Sequence, residues 1–257
     1  MLILLPPSEG KSVVVSGVGV DFGELSFPGL TSAREAVVDE LVRVSASVDA
    51  AEVLKVGRTL SAEVERNVRV LVEPAGPAWR VYSGVLFEAL DVASLSEVER
   101  ARAFGSVVVV SALWGALRLD DVIPAYRLSM GVRLPELGNL ARFWRSELAE
   151  VLDPLAEGEL VVDCRSAAYG MAWQSPAART YAVRVVREDD GGARKVVSHF
   201  AKHYRGLLAR YVITEDLCGV NDIEVLVERL RERWQVEVTP ATAKKAGVLT
   251  LVLPTVS

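Results

Sequence analysis

The chain has 257 residues, of which 51% are hydrophobic and 25% are charged, and its formal net charge is −5 at pH 7. These proportions are typical of a globular protein with a substantial core, and they exclude a largely disordered chain. The negative net charge gives no overall attraction to nucleic acid, so binding to DNA requires a local basic surface. The two cysteines, Cys164 and Cys218, lack metal-type spacing and are expected to be reduced thiols, which favours a cytoplasmic location.

The apolar run at the start of the chain ends at Pro6 and Pro7, which makes it too short for a signal peptide or a membrane span. It predicts a first strand over residues 1–5, because proline cannot donate a hydrogen bond to a sheet. The polar residues from Ser8 to Lys11 then form a loop beyond the carboxyl end of that strand. Ligand sites of α/β proteins are common at this position.

Hydrophobic periodicity and turn residues predict the remaining elements. The first half contains helices over 31–43, 51–60, 61–70, 87–90 and 96–104, a strand or turn at 79–82, a buried strand over 106–111 and a turn at 112–117. The second half contains a helix over 140–152 that stops before Pro154, a strand over 160–163, a hairpin of 181–186 with 195–200, helices over 202–212 and 221–234, and a strand over 248–253. This order lacks a strict βαβ rhythm, so the predicted fold is mixed α/β in a single domain over 1–257.

The residues Gly10, Lys11 and Ser12 match the end of the phosphate-loop motif G-x-x-x-x-G-K-[ST]. The first glycine of that motif would fall at Leu5, and β-branched residues follow where a helix should begin. A nucleotide triphosphatase is therefore improbable. The loop with Ser8, Glu9 and Lys11 stays a candidate anion site, with a solvated polar turn as the alternative.

A second polar cluster follows the predicted strand over 106–111. It contains Arg118, Asp120, Tyr126 and Arg127 on a connection punctuated by proline and glycine, where binding residues are often carried. The planar guanidinium group of arginine suits carboxylate or phosphate ligands. The alternative is that Arg118 forms a structural ion pair with Asp120 or Asp121.

A third cluster lies on the predicted helix over 202–212, where Lys202 and Arg205 share a face and Arg210 follows. The two histidines, His199 and His203, are four residues apart, but no third ligand accompanies them and the zinc-protease glutamate is absent. No metal site and no cofactor are predicted.

One carboxylate stands out in the second half of the chain. Asp163 ends a predicted buried strand, a position that suits a catalytic acid or base, although an aspartate that caps a loop is at least as common there.

Three blocks of sequence resemble signature blocks of the YaaA family, also designated UPF0246, which comprises bacterial proteins of the peroxide-stress response. They are MLILLPPSEGK, SALWGALRLDDVIPAYRLSMG and HFAKHYRGLLARYVI, which lie in the family's order between residue 1 and about residue 212. The resemblance implies the mixed α/β fold of that family, a role in limiting iron-dependent oxidative damage, and DNA binding through a helix-hairpin-helix element and a cationic cleft. One departure is the longer first block, because many members have Ser-Pro-Ala-Lys and therefore lack Glu9.

The resemblance also implies positions of functional interest in this chain. They are Lys11, Gly115, Arg118, Pro124, Tyr126, Arg127, Met130, Gly131, Lys202, Arg205, Gly206 and Arg210. The hairpin element would lie at about 51–70, with Lys55 and Arg58 beside Gly57, where glycine allows close approach to a phosphate.

Two functions remain open from the sequence. The first is DNA binding in the oxidative-stress response. The second is an enzyme that acts on a nucleotide, a nucleobase or another small anion, with Tyr126 or Tyr169 aligning the substrate, Glu9 or Asp163 as acid or base, and Lys11 among the groups that hold the anion. An iron-sequestering protein is disfavoured, because cysteine, histidine and carboxylates show no ligand spacing.

Overall fold

The computed structural model describes residues 1–189, 191, 193–196 and 198–254, without the side chains of Arg58, Lys195, Val196, Ser198 and His199. The helices are α1 (Thr31–Ser45), α2 (Ala50–Val53), α3 (Ser61–Asn67), α4 (Ala78–Val81), α5 (Val85–Leu90), α6 (Glu97–Ser106), α7 (Leu140–Ala156), α8 (Ala167–Gly170), α9 (Ser198–Thr214) and α10 (Ile223–Arg231). The strands are β1 (Leu2–Leu5), β2 (Ala75–Pro77), β3 (Val107–Ser111), β4 (Gly115–Leu117), β5 (Val122–Pro124), β6 (Arg133–Leu134), β7 (Gly138–Asn139), β8 (Val161–Asp163), β9 (Thr180–Glu188), β10 (Arg194–Val196), β11 (Gln235–Thr239) and β12 (Gly247–Leu253).

A mixed sheet forms the centre of the fold, with the strand order β11-β12-β9-β8-β1-β3-β4 and with β10 paired to β9. The five strands from β12 to β3 are parallel, while β4 and β11 run antiparallel at the two edges. Every residue of β1 and of β3 is buried. Such continuous apolar runs are typical of parallel strands that are covered on both faces.

The connections diverge between β1 and β8. After β1 the next strand of this sheet is β3, on one side, whereas β8 is followed by β9 on the other side. In an open sheet this reversal leaves a crevice outside the carboxyl ends of the two strands, where ligands bind. The loop from Pro6 to Lys11 leaves β1 at this crevice, and Asp163 ends β8 beside it.

The mixed α/β prediction is confirmed, and the predicted strands over 1–5, 106–111 and 248–253 correspond to β1, β3 and β12. The hairpin predicted from 181 is β9 paired antiparallel with β10, but the second strand ends at Val196 and α9 begins at Ser198. The predicted helix over 221–234 is shorter, and the strand β11 follows it. Two helices with a 3-10 turn at Arg58–Leu60 between them occupy the region of the predicted hairpin.

Two local predictions are sharpened or corrected by the structure. Of the strand or turn predicted at 79–82, the structure has one helical turn over 78–81, and the backbone N–H groups of Ala78 and Trp79 at its start donate to the carbonyl oxygens of Asp121 and Leu119 at 2.7 and 2.9 Å. The predicted helix end before Pro154 was wrong. Pro154 lies inside α7 instead of after its end. It falls in the last turn, where the missing N–H costs one hydrogen bond without interrupting the helix before it.

A buried arginine holds the segment before α1 on the edge of the sheet. Arg34 donates from Nε to the Trp114 carbonyl oxygen at 3.0 Å, and from one Nη to those of Ser26 and Ala116 at 2.7 and 2.8 Å. Burial lowers the pKa of Arg34 to about 10, although nearby Asp121 opposes the shift. Buried charges are stable only with such hydrogen bonds.

No helix in the described part of the chain is long and apolar enough to cross a membrane.

We predict from the packing of α5 on α9 that Gly206→Ala lowers the free energy of unfolding by about 2 kcal/mol, as overpacking does. A Cβ atom at this position would lie 2.2 Å from the carbonyl oxygen of Leu86 and 2.9 Å from Cβ of Ala89. Gly105→Ala is the matched control, since that glycine lies in α6 with open space around it. The control should be neutral or stabilise by up to about 1 kcal/mol. Urea unfolding followed by circular dichroism measures both, and equal effects would contradict the packing argument.

Candidate functional site

The loop after β1 is fixed to the segment that precedes α5. Oγ of Ser8 accepts the backbone N–H of Ser83 at 3.0 Å, and the N–H of Ser12 donates to the carbonyl oxygen of Val81 at 2.8 Å. Lys11 forms an isolated antiparallel bridge with Tyr82. These bonds place the loop over the carboxyl edge of the sheet without regular secondary structure of its own.

The ammonium group of Lys11 lies beneath this loop and packs on aromatic rings. Its Nζ is 4.0 Å from the ring centroid of Tyr126 and 5.7 Å from that of Tyr82. It donates to the carbonyl oxygen of Ser8 at 2.9 Å and, more weakly, to that of Glu9 at 3.4 Å. Part of the residue reaches the surface, and the terminal nitrogen lies between these two carbonyl oxygens and the two rings.

This enclosure lowers the pKa of Lys11 from 10.5 to about 7. Desolvation is the largest cause, and the positive charge of Arg127 acts in the same direction. The carboxylates of Glu9 and Glu63 oppose the shift without cancelling it. A lysine amine with a pKa near neutrality is uncommon on protein surfaces and is typical of sites that use the amine chemically.

The carboxylates near Lys11 are engaged by another cation. Nη2 of Arg127 lies 3.3 Å from Oε2 of Glu9, and Nη1 lies 3.5 Å from Oε2 of Glu63. Nη1 also donates to the Glu9 carbonyl oxygen at 3.0 Å. The Asn67 side chain holds the Arg127 backbone through two hydrogen bonds of 2.8 and 2.9 Å. Arg127 therefore takes both nearby carboxylates, and Lys11 has no ion-pair partner among the described residues.

A chain of buried hydroxyl groups positions the ring of Tyr126. Oγ of Ser111 accepts the backbone N–H groups of Leu113 and Trp114 at 3.2 and 3.0 Å, so its own hydrogen is directed to the Tyr126 hydroxyl at 2.7 Å. The Tyr126 hydroxyl is also hydrogen-bonded to that of Tyr82 at 3.0 Å. Burial raises the pKa of both phenols, which keeps them neutral.

Two cavities flank the loop, and Glu9 lines both of them. The larger, of about 350 Å³, is enclosed by Glu9, Leu54, Lys55, Val56, Arg127, Leu128, Ser129, Gly131 and Val132. The smaller, of about 250 Å³, is enclosed by residues 6–10, residues 83–87 and Lys202. The loop thus separates one cavity with Lys55 and Arg127 from another with Lys202. A further cavity of about 620 Å³ lies beside α10 and contains none of the predicted site residues.

Lys55 and Lys202 have no carboxylate partner in the described part of the chain. Nζ of Lys55 donates to the carbonyl oxygen of Gly131 at 3.2 Å, and Lys202 is exposed on α9. Lys55 has a φ of 55°, in the left-handed region that a non-glycine residue rarely adopts. The structure therefore brings together Ser8, Glu9, Lys11, Lys55, Tyr126, Arg127 and Lys202 around the loop.

Three of the predicted cationic residues do not join this group. Arg118 follows β4. Its Nη1 donates to the carbonyl oxygens of Gly105 and Val107 at the start of β3, at the end of the strands away from the loop after β1. Arg210 donates to the carbonyl oxygens of Leu90 and Asp91 at the end of α5.

Arg205 takes a third direction, because one of its terminal nitrogens donates to the carbonyl oxygen of Val183 at 2.9 Å, on the central sheet. The sequence left open whether the three clusters converge, and in the structure they converge only in part. The first loop, Arg127 and Lys202 meet, while the other arginines satisfy backbone carbonyl groups elsewhere.

Asp163 reaches the crevice edge but is held in an ion pair. Both of its oxygens accept from the Arg165 guanidinium, at 2.9 and 2.8 Å, and Oδ1 also accepts the Arg165 backbone N–H. The neighbouring Cys164 is buried, and burial raises the pKa of its thiol to about 12. Tyr169 is buried as well, with its pKa raised by burial and by nearby Tyr126. None of the three is an evident acid or base in this arrangement.

No group of three histidine, cysteine, aspartate or glutamate side chains in the described residues is placed to hold a metal ion. His203 packs edge-on against Tyr204 and lines a different cavity, with Arg210. The side chains of His199 and Arg58, both singled out from the sequence, lie outside the described part of the structure.

Four residues of the site were not predicted from the sequence, namely Ser111, Tyr82, Asn67 and Glu63. Ser111 had a usable signal, because it is the single polar residue that ends the buried strand β3. The other three lie on short helices and turns whose approach to the loop depends on tertiary packing.

We predict that the stability of the wild-type protein rises with pH relative to Lys11→Met, by about 1 kcal/mol per pH unit between the two pKa values of Lys11. The folded pKa of about 7 is below the ordinary value of 10.5, so in this range the unfolded chain binds a proton that the folded chain does not. Below pH 7 both states are protonated and the difference should be constant. Urea unfolding of both proteins from about pH 6 to about pH 9.5 measures it, and a flat difference across this range would contradict the assigned pKa.

Comparisons with known proteins identify the family of this chain. The family described as "Peroxide stress protein YaaA" matches residues 1–237. A UPF0246 protein of Streptomyces coelicolor is 48% identical over 237 residues, which cover 90% of each chain. A UPF0246 protein of Corynebacterium glutamicum is 42% identical over 88% of this chain and 90% of its own, and one of Leptothrix cholodnii is 30% identical over 76% and 80%. The chain therefore belongs to the YaaA family of peroxide stress proteins.

Proposed function

We propose that this protein acts in the bacterial response to peroxide by binding DNA at the two cavities beside the Ser8–Lys11 loop, which limits iron-dependent damage to the bound DNA. The observation that carries the proposal is the set of cations around Glu9. Arg127 and Lys55 line one cavity and Lys202 lines the other. Basic side chains that border a groove are the usual means of binding a phosphate backbone.

The two lysines have fewer protein partners than Arg118 and Arg210. Nη1 of Arg118 and Nη1 of Arg210 each donate to two backbone carbonyl oxygens, and Nη2 of Arg210 donates to Oγ of Ser94, whereas Lys202 is exposed. Lys55 makes one hydrogen bond, to Gly131, and keeps two ammonium hydrogens for other acceptors.

The segment between α2 and α3 borders the same cavity as Arg127, through Leu54, Lys55 and Val56. A duplex that approached the cavity would therefore meet the predicted hairpin element and the loop after β1 together. Because the net charge of the chain is −5, the attraction is local, and we expect modest affinity that falls steeply with salt.

We predict that Lys55→Gln combined with Lys202→Gln weakens duplex DNA binding and lowers the slope of log affinity against log salt by about one for each lysine that contacts a phosphate. Fluorescence anisotropy with a labelled duplex between about 50 and 200 mM salt measures both quantities. Lys244→Gln combined with Lys245→Gln removes the same charge from the turn between β11 and β12, at the far edge of the sheet.

The control pair should bind as the wild-type protein does. Equal losses in the two double variants would mean that only the overall charge matters. An absence of binding by the wild-type protein at the lowest salt would overturn the proposal. Cleavage of the duplex by ferrous iron and hydrogen peroxide, with and without each protein, tests whether binding protects the DNA.

An enzyme that acts on a nucleotide or another small anion is the second candidate, and the Lys11 amine favours it. Its pKa near 7 suits proton transfer or nucleophilic attack at neutral pH, a property that DNA binding alone does not require.

We predict for this second candidate that a nucleotide ligand at about a hundred times its dissociation constant adds about 2.7 kcal/mol to the free energy of unfolding. A thermal-shift screen of nucleotides and sugar phosphates detects such a ligand, and Arg127→Gln should reduce its effect. A screen without any stabilising compound would remove this candidate.

A further inference from the structure

We propose that Lys11 forms an imine with an aldehyde that carries a phosphate group, with Arg127 and Lys55 binding the phosphate. The inference rests on the proposed function, because it takes the same cavities as the phosphate site and adds a covalent step at the amine between them. In this proposal the site recognises the carbonyl group of the ligand as well as its negative charge.

The partners of the Lys11 nitrogen are neutral. They are two loop carbonyl oxygens, at 2.9 and 3.4 Å, and the faces of two tyrosine rings. An unprotonated amine has two hydrogens and one lone pair, so the two carbonyl oxygens accept both hydrogens and leave the lone pair without a donor. A lysine that served only as a structural cation would be expected to face a carboxylate, as Arg165 faces Asp163.

The two carboxylates that could hold Lys11 in its charged form are directed to Arg127 instead. The result is an amine of lowered pKa beside a guanidinium, and both groups donate to the carbonyl oxygen of Glu9. At pH 7.5 an ordinary lysine has about one amine in a thousand unprotonated, whereas a group with a pKa near 7 is mostly unprotonated. Nucleophilic lysines in other proteins are activated by the same means, burial in an apolar site next to another cation.

The phosphate group has a place close to the amine. Glu9, whose carbonyl oxygen accepts from Lys11, lines the cavity of about 350 Å³ that also contains Arg127 and Lys55. The backbone carbonyl oxygens of Ser8 and Glu9 cover the amine on the side of the loop. Both residues also line the other cavity, of about 250 Å³. Lys11 itself lines neither cavity, so the proposal requires the loop to move before an aldehyde in either cavity can reach the amine.

The reaction is balanced without an oxidant, a reductant or a metal. The Lys11 nitrogen attacks the carbonyl carbon, a C–N bond forms, and the carbonyl oxygen takes a proton to give a carbinolamine. Loss of the hydroxyl group as water then gives the imine, and the nitrogen releases its protons to the solvent. The neutral phenol of Tyr126, fixed by Ser111, keeps the ring against the amine and acts as a positioning residue.

Two kinds of molecule carry an aldehyde group together with a phosphate group. An abasic site in oxidised DNA exposes the aldehyde of a ring-opened deoxyribose between two phosphates, and a free aldose phosphate presents the same pair of groups in a small molecule. Both fit the amine and the cations, so the experiment has one arm for each source.

The test is reductive trapping of the wild-type protein with sodium cyanoborohydride at pH 7.5. The probes are glyceraldehyde 3-phosphate, unphosphorylated glyceraldehyde, a duplex with one abasic site and the same duplex intact. Peptide mass spectrometry locates the adduct, and Lys55, Lys202 and Lys244 in the same sample are internal controls. Lys11→Arg is the matched variant, because arginine keeps a positive charge but forms no stable imine under these conditions.

We expect the phosphorylated aldehyde to label Lys11 at least about tenfold more than the other lysines and more than glyceraldehyde does, with no label at this position in Lys11→Arg. Stronger trapping of the abasic duplex than of the aldose phosphate identifies DNA as the source, and the reverse identifies the small molecule. Labels spread evenly over the lysines, an unlabelled Lys11, or equal labelling by glyceraldehyde would each overturn the proposal.

The wild-type protein alone decides these outcomes, so the inference can be tested even if the variant does not fold. Binding of the intact duplex is measured separately by anisotropy. Binding without a Lys11 adduct removes the imine and leaves the proposed function, whereas an adduct without binding of intact DNA removes the DNA proposal and leaves the amine chemistry.

Discussion

The position of β1 in the middle of the sheet is the constraint on which the rest of the structure depends. Because β1 pairs with β3 on one side and β8 on the other, all four of its residues must be apolar, and the chain can turn polar only after Pro6 and Pro7. The first polar residues of the protein are thereby delivered to the crevice where the connections diverge. The site is thus built on a fully buried strand, although its own residues form a loop.

Much of the fold was predictable from the sequence, because buried parallel strands carry a strong local signal. The apolar runs of β1, β3 and β12 and the proline pair identified both the sheet and the loop with Lys11. Arg118 shows where this reasoning stops. Arg118 follows β3 closely in sequence. Because β4 runs antiparallel to β3, however, Arg118 lies at the end of the strands away from the loop with Lys11. The residues next to Arg118 in the sequence do not indicate this reversal.

The chemistry of the site was less predictable than its location. From the sequence, a lysine in a polar loop is expected to be an exposed cation. The structure instead places the Lys11 nitrogen against the rings of Tyr126 and Tyr82. The position of the Tyr126 ring depends on Ser111, whose hydroxyl group accepts hydrogen bonds from two backbone N–H groups. Lys55 and Lys202 come from segments about 150 residues apart, so their approach to one loop follows from topology rather than from spacing.

The carboxylate of Glu9 forms an ion pair with Arg127, so it competes with any anionic ligand for the same guanidinium group. A ligand that binds Arg127 must displace a side chain that is tethered beside it and is always present at high effective concentration. A simple carboxylate would exchange one monoanion for another and gain little, whereas a phosphate offers more charge and more acceptor oxygens to the same guanidinium. Under the proposed function, Glu9 therefore sets a minimum affinity that common metabolite carboxylates would not reach, and selectivity would come from a residue that repels the ligand rather than from one that attracts it.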